Sequence, residues 1–264
     1  MNMKIHALTT QINAVTEKEP GIFAVAVIDP LSGQTFCNDK RPMRSASLIK
    51  LFIMAEAFAG ISDGSLHPEE TITFREFDRV GGAGILQTLP AETSHTVLGL
   101  IELMITESDN IATNLLIDRL GMQAINERIL NLGCTATVLR RKMMDFEAAS
   151  SGAENLTSAL DIACTLAGIH LGQCVEPTAD AAMCQLLGRQ TDRCKIPDLL
   201  PHGTLCQHKT GELPGAEHDA GIIYAPSGPY ILAIMSDGQS NPAKAIYLVA
   251  KISKIVYDWF EQHR

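Results

Sequence analysis

No stretch of this 264-residue chain is apolar for long enough to cross a bilayer, and its start, Met1-Asn2-Met3-Lys4-Ile5-His6, has neither an apolar segment nor a small-residue cleavage site. These absences argue against a membrane protein and predict a cytoplasmic one for the chain as written. A periplasmic or secreted protein whose leader had been removed would read alike. There is no Cys-x-x-Cys pair among the seven cysteines, which are odd in number and fall mostly in apolar helical patterns. They read as reduced, buried thiols, an argument against an oxidising compartment. The eight histidines lack His-x-His and His-Glu-x-x-His spacing, so no zinc and no cofactor is expected. Basic residues are in deficit, 21 Lys and Arg against 30 Asp and Glu, and the formal net charge of -9 disfavours nucleic acid and anionic membrane surfaces as partners. Arg140-Arg141-Lys142 is too short a run to reverse that. Gly81-Gly82-Ala83-Gly84 has no Lys-Ser/Thr after it and does not match Gly-x-Gly-x-x-Gly, so it reads as a loop and not a phosphate cradle. Internal repeats and low-complexity linkers are also missing.

What is there is an ordinary globular composition, 46% hydrophobic, enough for one large domain or two interleaved lobes. Helical spacing from His6 to Lys18 is followed by an apolar run, Ile22 to Ile28, the turn Asp29-Pro30 with Ser32-Gly33, and a second short run, Gln34 to Cys37, which predicts a β-hairpin. The segment from Ser47 to Ala59 reads as a largely buried helix. Periodicity predicts further helices over Val97–Thr106, Ala112–Leu120, Gln123–Leu132, Ser158–Leu171 and Thr178–Leu187. After Pro197 and Pro201 come three β-type runs, Thr204–Gln207, Ala220–Tyr224 and Tyr230–Met235, and then an amphipathic helix, Ala243–Gln262.

The economical packing of this order is an α+β fold, an α/β sandwich in which the two early and three late strands form one five-stranded antiparallel sheet flanked by the terminal helices. The expected organisation is a single catalytic domain of two lobes. Residues 1–41 with 200–264 make the sheet-and-helix lobe and residues 42–199 an inserted all-α lobe, with a crevice between them where a site belongs.

Three short motifs occur in order: Ser47-Leu48-Ile49-Lys50, Ser108-Asp109-Asn110 and Lys209-Thr210-Gly211. A serine hydroxyl is a weak nucleophile until a base takes its proton, and a lysine one helical turn away, desolvated by apolar neighbours, can act as that base. Ser47 precedes the apolar helix, where backbone N–H groups and the helix dipole favour developing negative charge. Ser108 and Asn110 sit in a loop between helices. Ser108 can relay a proton to a leaving nitrogen, and Asn110 offers an amide to both Lys50 and a substrate. Lys209 and Thr210 pair a cation with a hydroxyl, which suits a substrate carboxylate. Gly211 permits close backbone approach, and the N–H of Glu212 can join that of Ser47 in an oxyanion hole. Each string alone reads more readily as a capping or solvated surface sequence; the ordered set does not.

On these motifs and their spacing, with first residues at positions 47, 108 and 209, the chain resembles the class A β-lactamase and penicillin-binding protein superfamily over nearly its whole length. The resemblance implies that Ser47 is acylated and that Lys50 is its base or relay. It implies that Ser108 protonates the leaving nitrogen, Asn110 contacts substrate and Lys50, and Lys209 and Thr210 anchor a carboxylate. It implies a serine hydrolase acting on a small molecule through an acyl-enzyme, a β-lactamase with a role in antibiotic resistance, expected as a monomer. The rival readings are a D-alanyl peptidase or esterase of the penicillin-binding type, and a covalent β-lactam sensor or acyl trap with slow deacylation.

Two departures stand out. The family's Glu-x-x-x-Asn loop, whose glutamate activates the hydrolytic water, is missing from residues 140–155. Aligning Arg141 with the loop arginine puts Met143 at the glutamate's position. Asp145 and Glu147 are the nearby carboxylates available for recruitment, though each reads better as a solvated loop residue. The arginine that many class A enzymes carry after the third motif is also missing. His218-Asp219 lies there instead, with His218 either a partial substitute or a structural contact to backbone.

Overall fold

The computed structural model describes residues 3–264. In chain order it contains α1 (Met3–Thr16), β1 (Ile22–Ile28), β2 (Thr35–Cys37), β3 (Met43–Arg44), a 3-10 turn over Ala46–Ile49, α2 (Lys50–Asp63), β4 (Thr71–Phe74), β5 (Thr93–Thr96) and α3 (Val97–Thr106). There follow α4 (Asn110–Leu120), α5 (Met122–Asn131), α6 (Phe146–Ser150), β6 (Leu156–Thr157), α7 (Ala159–Leu171) and α8 (Pro177–Leu187). The chain closes with β7 (Leu205–Leu213), β8 (Ala216–Ala225), β9 (Gly228–Asp237) and α9 (Pro242–His263).

The two early and three late strands form one five-stranded antiparallel sheet in the order β2-β1-β9-β8-β7. Both faces are covered. Along β1, Ala24, Ala26 and Ile28 enter one apolar cluster and Phe23, Val25 and Val27 the other, which is why this strand reads as a continuous apolar run and not as an alternating one. One face takes Leu8 and Ile12 of α1 with Leu248, Val249, Ile252, Val256 and Phe260 of α9. The opposite face presents the fully buried small residues Ala24, Ala26, Ala220 and Ala233, and α7 packs there. The sheet puts β7 on its outer edge, which leaves one side of that strand to face the 3-10 turn before α2.

The inserted segment departs from a purely helical lobe. It contains two short ribbons, β3 with β6 and β4 with β5, and α7, which a boundary at 199 assigns to that lobe, lies against the sheet. The β3 and β6 partners contribute two residues each, too few for alternation to register in sequence, and β5 is polar throughout. No helix among the described residues is long and apolar enough to cross a membrane.

Gly221 on β8 faces His208 on β7 at close quarters. A Cβ there would come within 2.5 Å of His208 Cβ and 2.7 Å of the Gln207 carbonyl oxygen. His208 is itself pinned, its Nδ1 2.9 Å from Asp219 Oδ1, with both residues fully buried. Gly221→Ala is therefore expected to destabilise the protein by about 1–3 kcal/mol through overpacking. Urea unfolding of the two forms, read as a shift in midpoint at constant slope, checks this.

Candidate active site

Lys50 opens α2, a helix whose residues from Lys50 to Ala55 are all inaccessible to solvent. An amine enclosed in this way must find partners. Its Nζ lies 2.6 Å from the Ser108 carbonyl oxygen, 3.1 Å from Ser108 Oγ and 2.9 Å from Asn110 Oδ1. Burial, with the nearby charge of Lys209, pushes its pKa well below the ordinary lysine value, and Asp109 opposes the shift. The neutral amine has a lone pair, and the Ser108 hydroxyl is in reach to donate to it.

Ser108 is held in the left-handed region at φ 54, a strained choice for a residue with a side chain. The next two residues fix it. Asp109 caps α4 by accepting the Ala112 N–H at 2.9 Å, and its other oxygen accepts the Leu86 N–H at 2.8 Å. Asn110 accepts a hydrogen bond from Lys50 Nζ on Oδ1, donates its Nδ2 to the Gly81 carbonyl at 3.1 Å, and donates its backbone N–H to the Ala83 carbonyl. The glycine-rich loop is thus a strap across the second motif. Gly84 is needed in it because a Cβ there would sit 2.3 Å from the Asp109 carboxyl carbon.

Lys209 extends from β7 into the same junction, fully buried, with Nζ 3.0 Å from Ser108 Oγ and 2.9 Å from the Thr210 carbonyl oxygen. One hydroxyl therefore bridges two lysine amines. Burial lowers the Lys209 pKa to about 7; Asp219 counters that and Lys195 adds to it. Gly211 closes the gap between strand and turn: a Cβ at this position would lie 3.2 Å from the Ser47 backbone nitrogen and 3.4 Å from that of Leu48. The outer edge of β7 carries Glu212 past the turn that holds Ser47. Ser47 sits in the 3-10 turn and not at the first residue of the α-helix, because α2 begins at Lys50.

A cavity of about 560 Å³ opens on this junction, lined by Ser47, Ser108, Asn110, Thr210, Gly211 and Glu212 together with Met143 and Met144. All three motifs meet there. Met143 is held in the wall by a reciprocal pair of bonds with Asn114, its N–H to Asn114 Oδ1 at 2.7 Å and its carbonyl accepting from Asn114 Nδ2 at 3.1 Å. The loop neck is closed by Arg141, whose Nη2 lies 2.6 Å from Glu154 Oε1, and by Asn155, whose Oδ1 accepts the N–H groups of Arg140 and Arg141. Asp145 and Glu147 are not in the lining. Asp145 caps α6 by accepting the Ala148 N–H, and Glu147 stands exposed on that short helix. His218 is likewise absent from the lining: it is fully buried, its Nε2 donates to the Arg44 carbonyl and its Nδ1 accepts the Ser236 N–H. Burial lowers its pKa to about 4, so it is a neutral structural residue. The cation behind the third motif is instead Lys195, which sequence reading passed over because it lies in the irregular segment before β7. Its buried Nζ is 2.7 Å from Glu212 Oε1 and 2.9 Å from Glu217 Oε2.

The profile of the β-lactamase enzyme family matches residues 7–260. The chain belongs to that family. It is a serine β-lactamase-type hydrolase with the class A fold. Over 259 residues it is 29% identical to β-lactamase AST-1 of Nocardia asteroides, covering 90% of this chain and 78% of that one. Among solved structures, the β-lactamase of Sphaerobacter thermophilus superposes with a TM-score of 0.89 at 26% identity, covering 97% of this chain and 98% of the other. PBP-A superposes with a TM-score of 0.90 at 28% identity, covering 97% and 96%.

Lys209 is an ammonium below about pH 7 and an amine above it. For a β-lactam that carries a carboxylate, kcat/KM is expected to fall as pH rises through about 7, as the free enzyme loses that charge. Lys209→Arg, which stays charged, is expected to lose this limb of the profile. Initial-rate measurements with wild type and variant from pH 5.5 to about 9 check it.

Proposed function

We propose that Ser47 is the acylated nucleophile of a β-lactamase whose acylation machinery is complete and whose deacylation is slow. The observation that supports this best is the Ser108 hydroxyl, 3.1 Å from Lys50 Nζ and 3.0 Å from Lys209 Nζ, in a cavity that Ser47 also lines. Lys50 takes the proton as Ser47 Oγ attacks the lactam carbonyl carbon. The ring C–N bond breaks, and the proton passes through Ser108 Oγ to the departing nitrogen. The backbone N–H groups of Ser47 and Glu212 receive the oxyanion. Asn110 holds the acyl amide, and Lys209 with Thr210 the carboxylate.

Hydrolysis of the resulting ester needs a base for water. Met143 carries no ionisable group, while Asp145, which caps α6, and Glu147 are exposed and do not line the cavity. A D-alanyl peptidase, a sensor and a β-lactamase share the first half-reaction and differ in the fate of the ester.

The seven free thiols support a cytoplasmic setting, since Cys164 and Cys194 are exposed and would be open to oxidation outside it.

Incubation with benzylpenicillin followed by intact-mass measurement is expected to give a +ligand adduct that persists for many turnovers' time and is missing in Ser47→Ala. Lys50→Met is expected to slow its formation by about 10²–10⁴-fold. Met143→Glu is expected to raise steady turnover at least about tenfold by supplying the missing base. Wild-type turnover at ordinary β-lactamase rates, retained in Asp145→Ala and Glu147→Ala, would contradict slow deacylation.

A further inference from the structure

The mouth of the cavity carries charge that acyl transfer does not use. Glu107, Asp192 and Glu212 all line it, beside the two motif residues at the carboxylate-anchoring end, Ser108 and Thr210. Glu107 immediately precedes Ser108, and its Oε2 accepts from Thr191 Oγ1 at 3.3 Å. Asp192 accepts the Cys194 N–H at 3.1 Å and stands beside the Thr210 side chain, so a carboxylate already flanks the hydroxyl assigned to the substrate. Glu212 follows Gly211 on β7 with its side chain 59% exposed. A single buried ammonium, Lys195, serves Glu212 at 2.7 Å, Glu217 at 2.9 Å and Asp192 at 3.8 Å, which leaves this end with surplus negative charge. The other charged lining residues, Arg141 and Glu154, neutralise each other. The net charge of -9 on the chain acts in the same direction at longer range.

We infer that Glu107, Asp192 and Glu212 make the leaving-group end of the cavity selective for acyl donors with a positive charge on that side, favouring zwitterionic β-lactams over purely anionic ones. The inference rests on the assignment of Ser47 as nucleophile and Thr210 as carboxylate anchor. A leaving group with only a carboxylate meets Lys209 and Thr210 but is repelled by three neighbouring carboxylates. One that extends a cation past its carboxylate satisfies both sets, so the discrimination comes from repulsion of the wrong ligand as much as attraction of the right one.

Cephalothin and cephaloridine test this directly. They share the thienylacetamido group and the ring carboxylate and differ at the C3 methylene, which bears a neutral acetoxy group in one and a pyridinium in the other. The second-order rate of Ser47 acylation is measured for each by quenched-flow intact-mass spectrometry and divided by its rate of alkaline hydrolysis, which removes the difference in intrinsic reactivity. Wild type is expected to favour cephaloridine by about tenfold or more at low salt, and about 0.5 M NaCl is expected to shrink that ratio. Asp192→Asn and Glu107→Gln, each isosteric, are expected to lower the ratio several-fold, chiefly by speeding reaction with cephalothin. The salt arm uses the wild-type protein and does not depend on either variant folding. A normalised ratio near one in wild type, or one unmoved by salt and by both substitutions, overturns the inference while leaving acyl transfer intact. If neither drug acylates Ser47, the assignment of the nucleophile fails and takes the inference with it.

Discussion

Two lysine amines, both sealed from solvent, converge on one serine hydroxyl, and the rest of the site exists to hold that arrangement. Burial lowers the proton affinity of both amines, and a neighbouring ammonium adds to it in each case, Lys209 acting on Lys50 and Lys195 on Lys209. A lysine with a depressed pKa is a usable base at neutral pH, and a hydroxyl placed between two such amines is a ready path for a proton. The arrangement is stable only because every polar atom in it is satisfied: the Ser108 carbonyl, the Asn110 amide and the Thr210 carbonyl supply the acceptors that water would otherwise provide. Catalytic competence and the burial of α2 are two outcomes of the same packing.

Local strain gathers around this junction. Among the described residues, three of the four non-glycine positions with positive φ, Ala46, Ser108 and Met144, line the cavity. Conformations of this kind persist only where surroundings over-determine them. Ser108 is held by the Asp109 cap and the glycine strap, Ala46 by the β3–β6 ribbon and the Ser45 N–H to the Asn155 carbonyl, and Met144 by the loop neck at Arg141 and Glu154. The short ribbons contribute little core, but they fix the entry and exit of segments that carry functional side chains.

The cavity also has a marked asymmetry. Its wall of Met143, Met144, Phe146, Leu213 and Pro214 is apolar, while Glu107, Asp192 and Glu212 gather near Ser108 and Thr210. The same fold can therefore acylate through a shared junction and differ in which ester it releases and which leaving group it accepts, because those choices belong to loop and edge residues outside the three motifs. Position 143 and the stretch after the third motif, where His218-Asp219 stands, are where this chain departs from the resemblance its motifs establish.

Much of this was readable in the chain itself. The run Ile22–Ile28 matches β1 residue for residue, the helix Val97–Thr106 matches α3, and the three motifs mark residues that the fold brings to one cavity, because periodicity and short-range spacing are local properties. Aligning on Arg141 puts Met143 at the glutamate's position, and Met143 lines the cavity. The fates of Asp145, Glu147 and His218 could not be read, since whether a polar side chain faces a cavity, caps a helix or lies sealed between strands depends on neighbours distant in sequence. Lys195 is the clearest case: nothing in the irregular segment around it signals a role, and only the folding of β7 and β8 brings it against Glu212 and Glu217. Sequence determined which chemistry the chain can perform, because that follows from residue types at fixed local spacing; tertiary structure alone decided which charges reach the substrate, because burial and Coulomb interaction depend on distances through space.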